Sequence, residues 1–298
     1  MEAPQLRPLG VGDIVDRVFA LYRSRPWLLI AASAVPYLIF VLVLVGGTLI
    51  AAGSIVGLGA FANAIAAGDV PSPEFIQSAA LTFFGFILFV VIAAVVILSV
   101  QSTSLVFATS ARYLGRPVTL GESFRAGVRA APRVILAGFV IFLLFIVLWL
   151  VLGIAIVLAN SALVAALLVI AGLVATVYLF SSTLVTPVVA TIEGAGPIAA
   201  IRRSFSLSAG GRWRVLGLQL LLVVLNAVIS TVVSTIFLTS LIGDAALRTA
   251  AQQITNAVVT ILWAPVEWGT FTILYYDLRV RREAFDLQLA AEALPREA

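Results

Sequence analysis

Six long apolar stretches recur along this sequence and constrain its fold more than any other feature. An α-helix rises about 1.5 Å per residue, so about 20 apolar residues cross the hydrocarbon core of a bilayer. In that core, every backbone polar group must find its partner within the protein, which a helix achieves by itself. We therefore predict an all-α, polytopic membrane helical bundle with six transmembrane helices, at residues 27–51, 79–109, 134–158, 163–192, 215–241 and 250–276.

The composition agrees with a lipid environment and excludes several kinds of chemistry. Of 298 residues, 62% are hydrophobic and 11% are charged, whereas soluble domains are about half apolar. The chain contains no histidine, cysteine or lysine, so it lacks the usual ligands of zinc or haem, a thiol nucleophile and a Schiff-base amine. We expect no enzymatic activity, no metal site and no cofactor.

The arginines indicate how the spans are oriented. All 18 basic residues are arginine, and basic residues close to spans stay in the cytoplasm. Seventeen of them lie before span one, between spans two and three, between spans four and five, or after span six, whereas Arg248 lies on the opposite side. This pattern predicts cytoplasmic N- and C-termini, with opposite connections at 52–78, near Asn160 and at 243–248. The expected partners of this charge are anionic lipid headgroups, and not nucleic acid.

Three cytoplasmic segments have the amphipathic pattern of helices that lie at a membrane surface. In the first, residues 11–23 present an apolar face and a charged face. In the second, Thr119 and Glu122 have the spacing of a capping box. In the third, Pro197 is suited to the first position of a helix. The sequence therefore predicts three interfacial helices in addition to the six spans.

The order of these elements suggests an internal repeat within one membrane domain, residues 1–298. One interfacial helix followed by two spans would be used three times, in residues 1–109, 110–192 and 193–298. Four residues recur at identical spacing in the first and third units: Arg17, Phe19, Leu21 and Trp27 correspond to Arg203, Phe205, Leu207 and Trp213. Both duplication and convergence on an arginine-rich, tryptophan-anchored entry into lipid explain this recurrence.

Glu267 is the ionisable residue that lies clearly inside a span. Counting back from Tyr276 places it about 14 Å deep, near the middle of the bilayer. Gln101, Thr186 and Asn226 lie at comparable depth in other spans. One hypothesis is a midplane polar site for a proton, an ion or a polar headgroup, because buried ionisable groups in membranes are often functional. The other is hydrogen bonding that joins the spans.

Arginines near the ends of the spans are the second group of candidate residues. We expect Tyr275 and Tyr276, with the arginines that follow them, to lie at the membrane interface as an anchor. The candidates for contact with anionic lipid, or with a protein partner on the cytoplasmic face, are Arg17, Arg125, Arg203, Arg279, Arg281 and Arg282.

Several motifs together resemble a known family. They are LRPLGVGDIVDRVFALYR near the N-terminus, YLGRPVTLGESFRAGVR, GPIAAIRRSFSLSAGGRWRVLG and, most distinctively, YYDLRVRREAFDL at residues 275–287. They resemble the membrane domain associated with glycerophosphoryl diester phosphodiesterases and related bacterial membrane proteins. The resemblance implies a bacterial inner-membrane protein. It does not transfer the phosphodiesterase activity, because that activity belongs to a separate soluble domain that relies on histidines.

Three functions are compatible with the sequence. The leading hypothesis is a non-enzymatic membrane scaffold or a module that binds lipid or a partner. The second is a small transporter or lipid-translocating protein that uses the polar site around Glu267, and the third is a membrane anchor for a separately encoded enzyme. A water-accessible cavity at Glu267 would favour transport, whereas a groove on the side of a dry bundle would favour lipid or partner binding.

Overall fold

The computed structural model of the chain describes residues 8–68, 72–159, 161–239 and 245–288. These residues form nine helices and no strands, so the predicted all-α class is confirmed. The helices are α1 (Val11–Ser24), α2 (Pro26–Ala66), α3 (Pro73–Tyr113), α4 (Leu120–Leu158), α5 (Ala162–Thr183), α6 (Thr186–Ile192), α7 (Pro197–Ser208), α8 (Arg212–Thr239) and α9 (Ala245–Glu283).

Six helical segments are long and apolar enough to cross a membrane, as predicted. They are Pro26–Leu49, Pro73–Tyr113, Leu120–Leu158, Ala162–Ile192, Arg212–Ile236 and Leu247–Glu283. Large apolar side chains such as Leu42, Leu88 and Val147 are exposed along them. A soluble monomer rarely exposes so much contiguous apolar surface, whereas lipid requires it. The chain is therefore a multi-pass α-helical membrane protein.

Helix α9 lies at the centre of the bundle. It packs against α8, α3, α1 and α2, whereas α5 lies at the edge against α4, α7 and α8. Every residue from Phe271 to Leu278 is buried, including Thr272 and Asp277. The C-terminal part of α9 is thus the core around which the other helices are arranged.

A close crossing of α3 and α4 depends on a glycine. A Cβ atom added to Gly127 would lie 2.1 Å from Ser104 Oγ and 3.0 Å from the backbone nitrogen of Ser104. At the same place, the Thr103 hydroxyl donates a hydrogen bond of 3.0 Å to the Gly127 carbonyl. Small residues of this kind allow transmembrane backbones to approach closely, and polar side chains then hydrogen-bond across the contact.

Of the three predicted interfacial helices, two are separate helices in the structure and one is not. Helices α1 and α7 are separate elements, and Pro197 occupies the first turn of α7 as expected. Thr119 and Glu122 form the predicted capping box, but the helix that they begin runs without interruption through Pro132 to Leu158. Pro132 lacks an amide hydrogen, so the Val128 carbonyl loses its usual helical hydrogen bond.

Two other boundaries also differ. The connection predicted at 52–78 is largely helical, because α2 continues to Ala66 and α3 begins at Pro73. The sequence there is less apolar than the spans, so hydropathy did not predict these extensions of the two helices. The fourth span is interrupted at Leu184 and Val185, between α5 and α6. Pro187 contributes to this break, since it lacks the amide hydrogen that would bond the Thr183 carbonyl in a continuous helix. The turn predicted near Asn160 includes a residue outside the described ranges.

We predict that Gly127→Ala destabilises the protein, because the added methyl group collides with the Ser104 backbone. Overpacking of this kind costs about 1–3 kcal/mol, which thermal unfolding in detergent micelles would measure as a lower midpoint. Gly121→Ala on the same helix is the matched control, because a Cβ there meets no atom within 4 Å. Equal midpoints for the two variants would contradict the close crossing.

Candidate functional site

The ends of α3, α7 and α9 and the starts of α4 and α8 meet near α1, and we call this region the arginine-rich end. Its centre is Asp277, whose side chain is completely buried. The carboxylate accepts a hydrogen bond of 2.7 Å from the Leu9 backbone amide and pairs with Arg281 at 3.0 Å and with Arg214 at 3.4 Å. Both arginines also donate to the Leu9 carbonyl. One carboxylate therefore joins the N-terminal segment to α8 and α9.

A second set of ion pairs joins α7 to α9. Arg203 pairs with Glu193, which follows α6, and with Glu283 at the end of α9. The hydrogen bond to Glu283 raises the pKa of the Arg203 guanidinium above its ordinary value, so this arginine stays charged. Tyr275 donates to Glu193 at 2.7 Å, and Arg279 donates to Glu283 at 3.0 Å. Charged and polar groups are thus matched across three helices.

The expectation that Tyr275 and Tyr276 lie at the membrane interface is wrong. Their relative exposures are 0% and 2%, respectively. The Tyr276 hydroxyl forms a hydrogen bond of 2.7 Å with Ser110 on α3, and its ring packs near Tyr113. Burial is tolerated because each hydroxyl has a partner inside the protein.

The six candidate arginines divide into two groups. Arg203, Arg279 and Arg281 make the internal ion pairs described above, and Arg17 donates to the Tyr113 hydroxyl at 3.3 Å. Arg125 and Arg282 are exposed. Arg125 and Arg282 therefore remain the best candidates for contact with lipid or a protein partner.

A polar cleft of about 380 Å³ lies between α8 and α9 and contains Glu267. Asn226 lines the same cleft, as predicted from depth, together with Gln219 and Thr260. The remaining lining residues are Leu222, Val223, Ala227, Trp263 and Ala264. Among the described residues, those that line this space belong to α8 and α9 alone, so the α8–α9 cleft opens on the side of the bundle.

The structure does not bring the other two candidates into this cleft. Gln101 on α3 donates hydrogen bonds of 3.0 Å and 2.9 Å to the carbonyl and hydroxyl of Ser33 on α2. Thr186 is fully buried at the start of α6 and does not line the cleft. The residues that sequence reasoning missed, Gln219 and Thr260, were detectable by spacing, since each lies seven residues before Asn226 or Glu267 on one helical face.

The hydrogen bonds show which polar groups already have a partner. Gln101 joins two spans, as the hydrogen-bonding hypothesis expects. Within the described ranges, by contrast, the side chains of Glu267 and Asn226 make no hydrogen bond to the protein, and Gln219 Oε1 is buried without one. The cleft therefore presents a carboxyl and two amides to whatever occupies it.

No protein-family model, curated protein or solved structure matches the chain. Its class is therefore defined by its own fold and site: a multi-pass helical membrane protein with an internally paired charged end and an unpaired polar cleft on one side.

We predict that Asp277→Asn destabilises the whole bundle. Removing one partner from a buried ion pair costs about 3–5 kcal/mol, because the remaining charges of Arg214 and Arg281 lose their compensation. Thermal unfolding in detergent would report a markedly lower midpoint. Asp16→Asn is the matched control, since Asp16 is exposed on α1. A normal midpoint for Asp277→Asn would show that the arginine-rich end does not depend on this carboxylate.

Proposed function

We propose that this protein is a non-enzymatic membrane protein that binds a neutral amphiphile in the α8–α9 cleft. The observation that carries the proposal is the presence of Glu267, Asn226 and Gln219 in one cleft without hydrogen bonds to the protein. An unpaired polar atom costs about 1–3 kcal/mol when it is buried, as Gln219 Oε1 is. A ligand with a hydroxyl or amide group would recover that free energy by pairing with them.

The position of the cleft supports an amphiphile over an aqueous ion. Glu267 lies ten residues before Asp277, which places it about 15 Å from the arginine-rich end along the helix axis. At that depth a charged headgroup is expensive to bury, whereas a single hydroxyl group is not. The cleft opens on the side of two helices, so its occupant would enter from the lipid. The geometry favours binding from the bilayer over a path across it.

The cellular location is part of the same proposal. The internally paired arginines gather at one end of the bundle, and the positive-inside rule assigns that end to the cytoplasm. Both ends of the chain would then be cytoplasmic in a bacterial inner membrane. The resemblance of residues 275–287 to the membrane domain associated with glycerophosphoryl diester phosphodiesterases supports this assignment. In that arrangement, Arg125 and Arg282 face anionic headgroups or a cytoplasmic partner.

Substitution by leucine tests the cleft because it separates a binding role from a structural one. We predict that Glu267→Leu and Asn226→Leu each weaken binding of dioleoylglycerol about fivefold to tenfold, since each removes one hydrogen-bonding group. Neither should lower the thermal midpoint, because the lost groups have no protein partner. Native mass spectrometry of lipid titrations would measure both affinities.

The control for this test is Asn256→Leu, an exposed asparagine on the same helix as Glu267 and outside the cleft. It should change neither quantity. A loss of thermal stability in Glu267→Leu, with dioleoylglycerol binding unchanged, would show instead that the polar cleft joins helices and is not a ligand site.

The proposed orientation is tested by labelling single cysteines, because the chain has no native cysteine. In intact cells, we predict that a membrane-impermeant maleimide labels Ala67→Cys, which follows α2, but not Ser206→Cys; both are exposed positions. After cell lysis, both variants should be labelled. Labelling of Ser206→Cys in intact cells would reverse the orientation.

A further inference from the structure

A second polar cavity lies at the arginine-rich end, away from the α8–α9 cleft. It has a volume of about 380 Å³ and occupies the angle between the start of α2, the end of α3 and the start of α4. We call it the Arg25–Arg112 crevice. Its lining residues are Arg25, Leu28, Arg112, Pro117, Val118, Thr119 and Glu122.

The two arginines of this crevice differ from the paired arginines nearby. Arg203, Arg214, Arg279 and Arg281 all have carboxylate partners. Within the described residues, the side chains of Arg25 and Arg112 have no ion pair and no hydrogen bond, and Arg112 Nε, like Arg214 Nε, is buried with no acceptor. A buried donor without an acceptor is costly, and in native proteins it often marks the place of a missing ligand.

The carboxylate in the crevice does not meet this need. Glu122 accepts hydrogen bonds from the backbone amide of Thr119 at 2.8 Å and from its hydroxyl at 2.9 Å, and so caps the start of α4. Two guanidinium groups and one carboxylate leave a net charge of one positive unit. That charge matches a single monoanion.

We propose that the Arg25–Arg112 crevice binds a monoanionic phosphate group, supplied by the headgroup of an anionic phospholipid. Guanidinium groups bind phosphate through paired, charge-assisted hydrogen bonds. Trp27, in the first turn of α2, is 80% exposed, as expected for a side chain at the membrane interface. Exposed Leu38 and Leu42 continue along the same helix and would contact the acyl chains. This site does not depend on the α8–α9 cleft, and either can fail alone.

Binding of dioleoylphosphatidylglycerol to the purified protein, followed by native mass spectrometry, tests the proposal. We expect Arg112→Gln and Arg25→Gln to weaken the tightest binding event about tenfold, since each removes a charge-assisted contact. Arg112→Lys should recover part of the affinity, because it keeps the charge but not the paired geometry. Arg129→Gln is the matched control, an exposed arginine on α4 outside the crevice.

A second experiment, with inorganic phosphate, distinguishes a lipid headgroup from free phosphate as the ligand of the crevice. If phosphate raises the thermal midpoint of lipid-depleted protein, and Arg112→Gln abolishes the rise while lipid binding stays unchanged, the site binds free phosphate. Loss of phosphatidylglycerol binding in the two glutamine variants, but not in Arg129→Gln, supports the lipid headgroup. If neither probe responds to Arg25 or Arg112, or if Arg129→Gln has the same effect, the proposal is overturned.

Discussion

The buried carboxylate of Asp277 is the interaction on which the rest of this structure depends. It compensates two arginines and receives the Leu9 amide, so a segment at the start of the chain is fixed to the end of the last span. This arrangement fixes the C-terminal part of α9 against α8 and the N-terminal segment. Because α9 is one continuous helix, the same contacts help to position Glu267 beside α8. The charged end and the polar cleft are therefore parts of one rigid element.

Because the spans lie in lipid, the presence or absence of a hydrogen-bonding partner indicates the role of each polar side chain. In water, an unpaired polar side chain is solvated, so the lack of a protein partner does not indicate a binding site. In the hydrocarbon core, the same side chain remains without a hydrogen bond unless a ligand binds it. The structure satisfies Asp277, Glu193, Glu283 and Gln101 with partners in the protein. It leaves the side chains of Glu267 and Asn226 in the cleft without them, and at the arginine-rich end it leaves Arg112 Nε buried with no acceptor. The first group holds the helices together, and the second defines the two proposed binding sites.

Much of the fold is predictable from local sequence. The six apolar spans, the Thr119 and Glu122 capping box and the helix start at Pro197 each depend on neighbouring residues, and each is present in the structure. Tyr275 and Tyr276 were not predictable in this way, because an interfacial anchor and a buried network have the same local pattern. Their role depends on partners far along the chain, such as Glu193 for Tyr275.

The candidate site was predictable only in part, for a related reason. Hydropathy fixes how deep a residue lies but not which way it faces around its helix. The sequence predicts the same depth for Gln101, Thr186 and Glu267, but Gln101 and Thr186 face other neighbours. The spacing of seven residues identifies Gln219 and Thr260 as the companions of Asn226 and Glu267. Depth and facing direction together are needed to assemble such a site.

We propose that an amphiphile from the bilayer occupies the α8–α9 cleft. A high-resolution structure of the protein in lipid nanodiscs tests it most directly, through the density beside Glu267 and Asn226. We expect elongated density that enters from the side of the bundle and ends with a polar group against these two residues. A cleft closed by direct packing of α8 on α9, or a file of water that reaches both faces of the membrane, would contradict it.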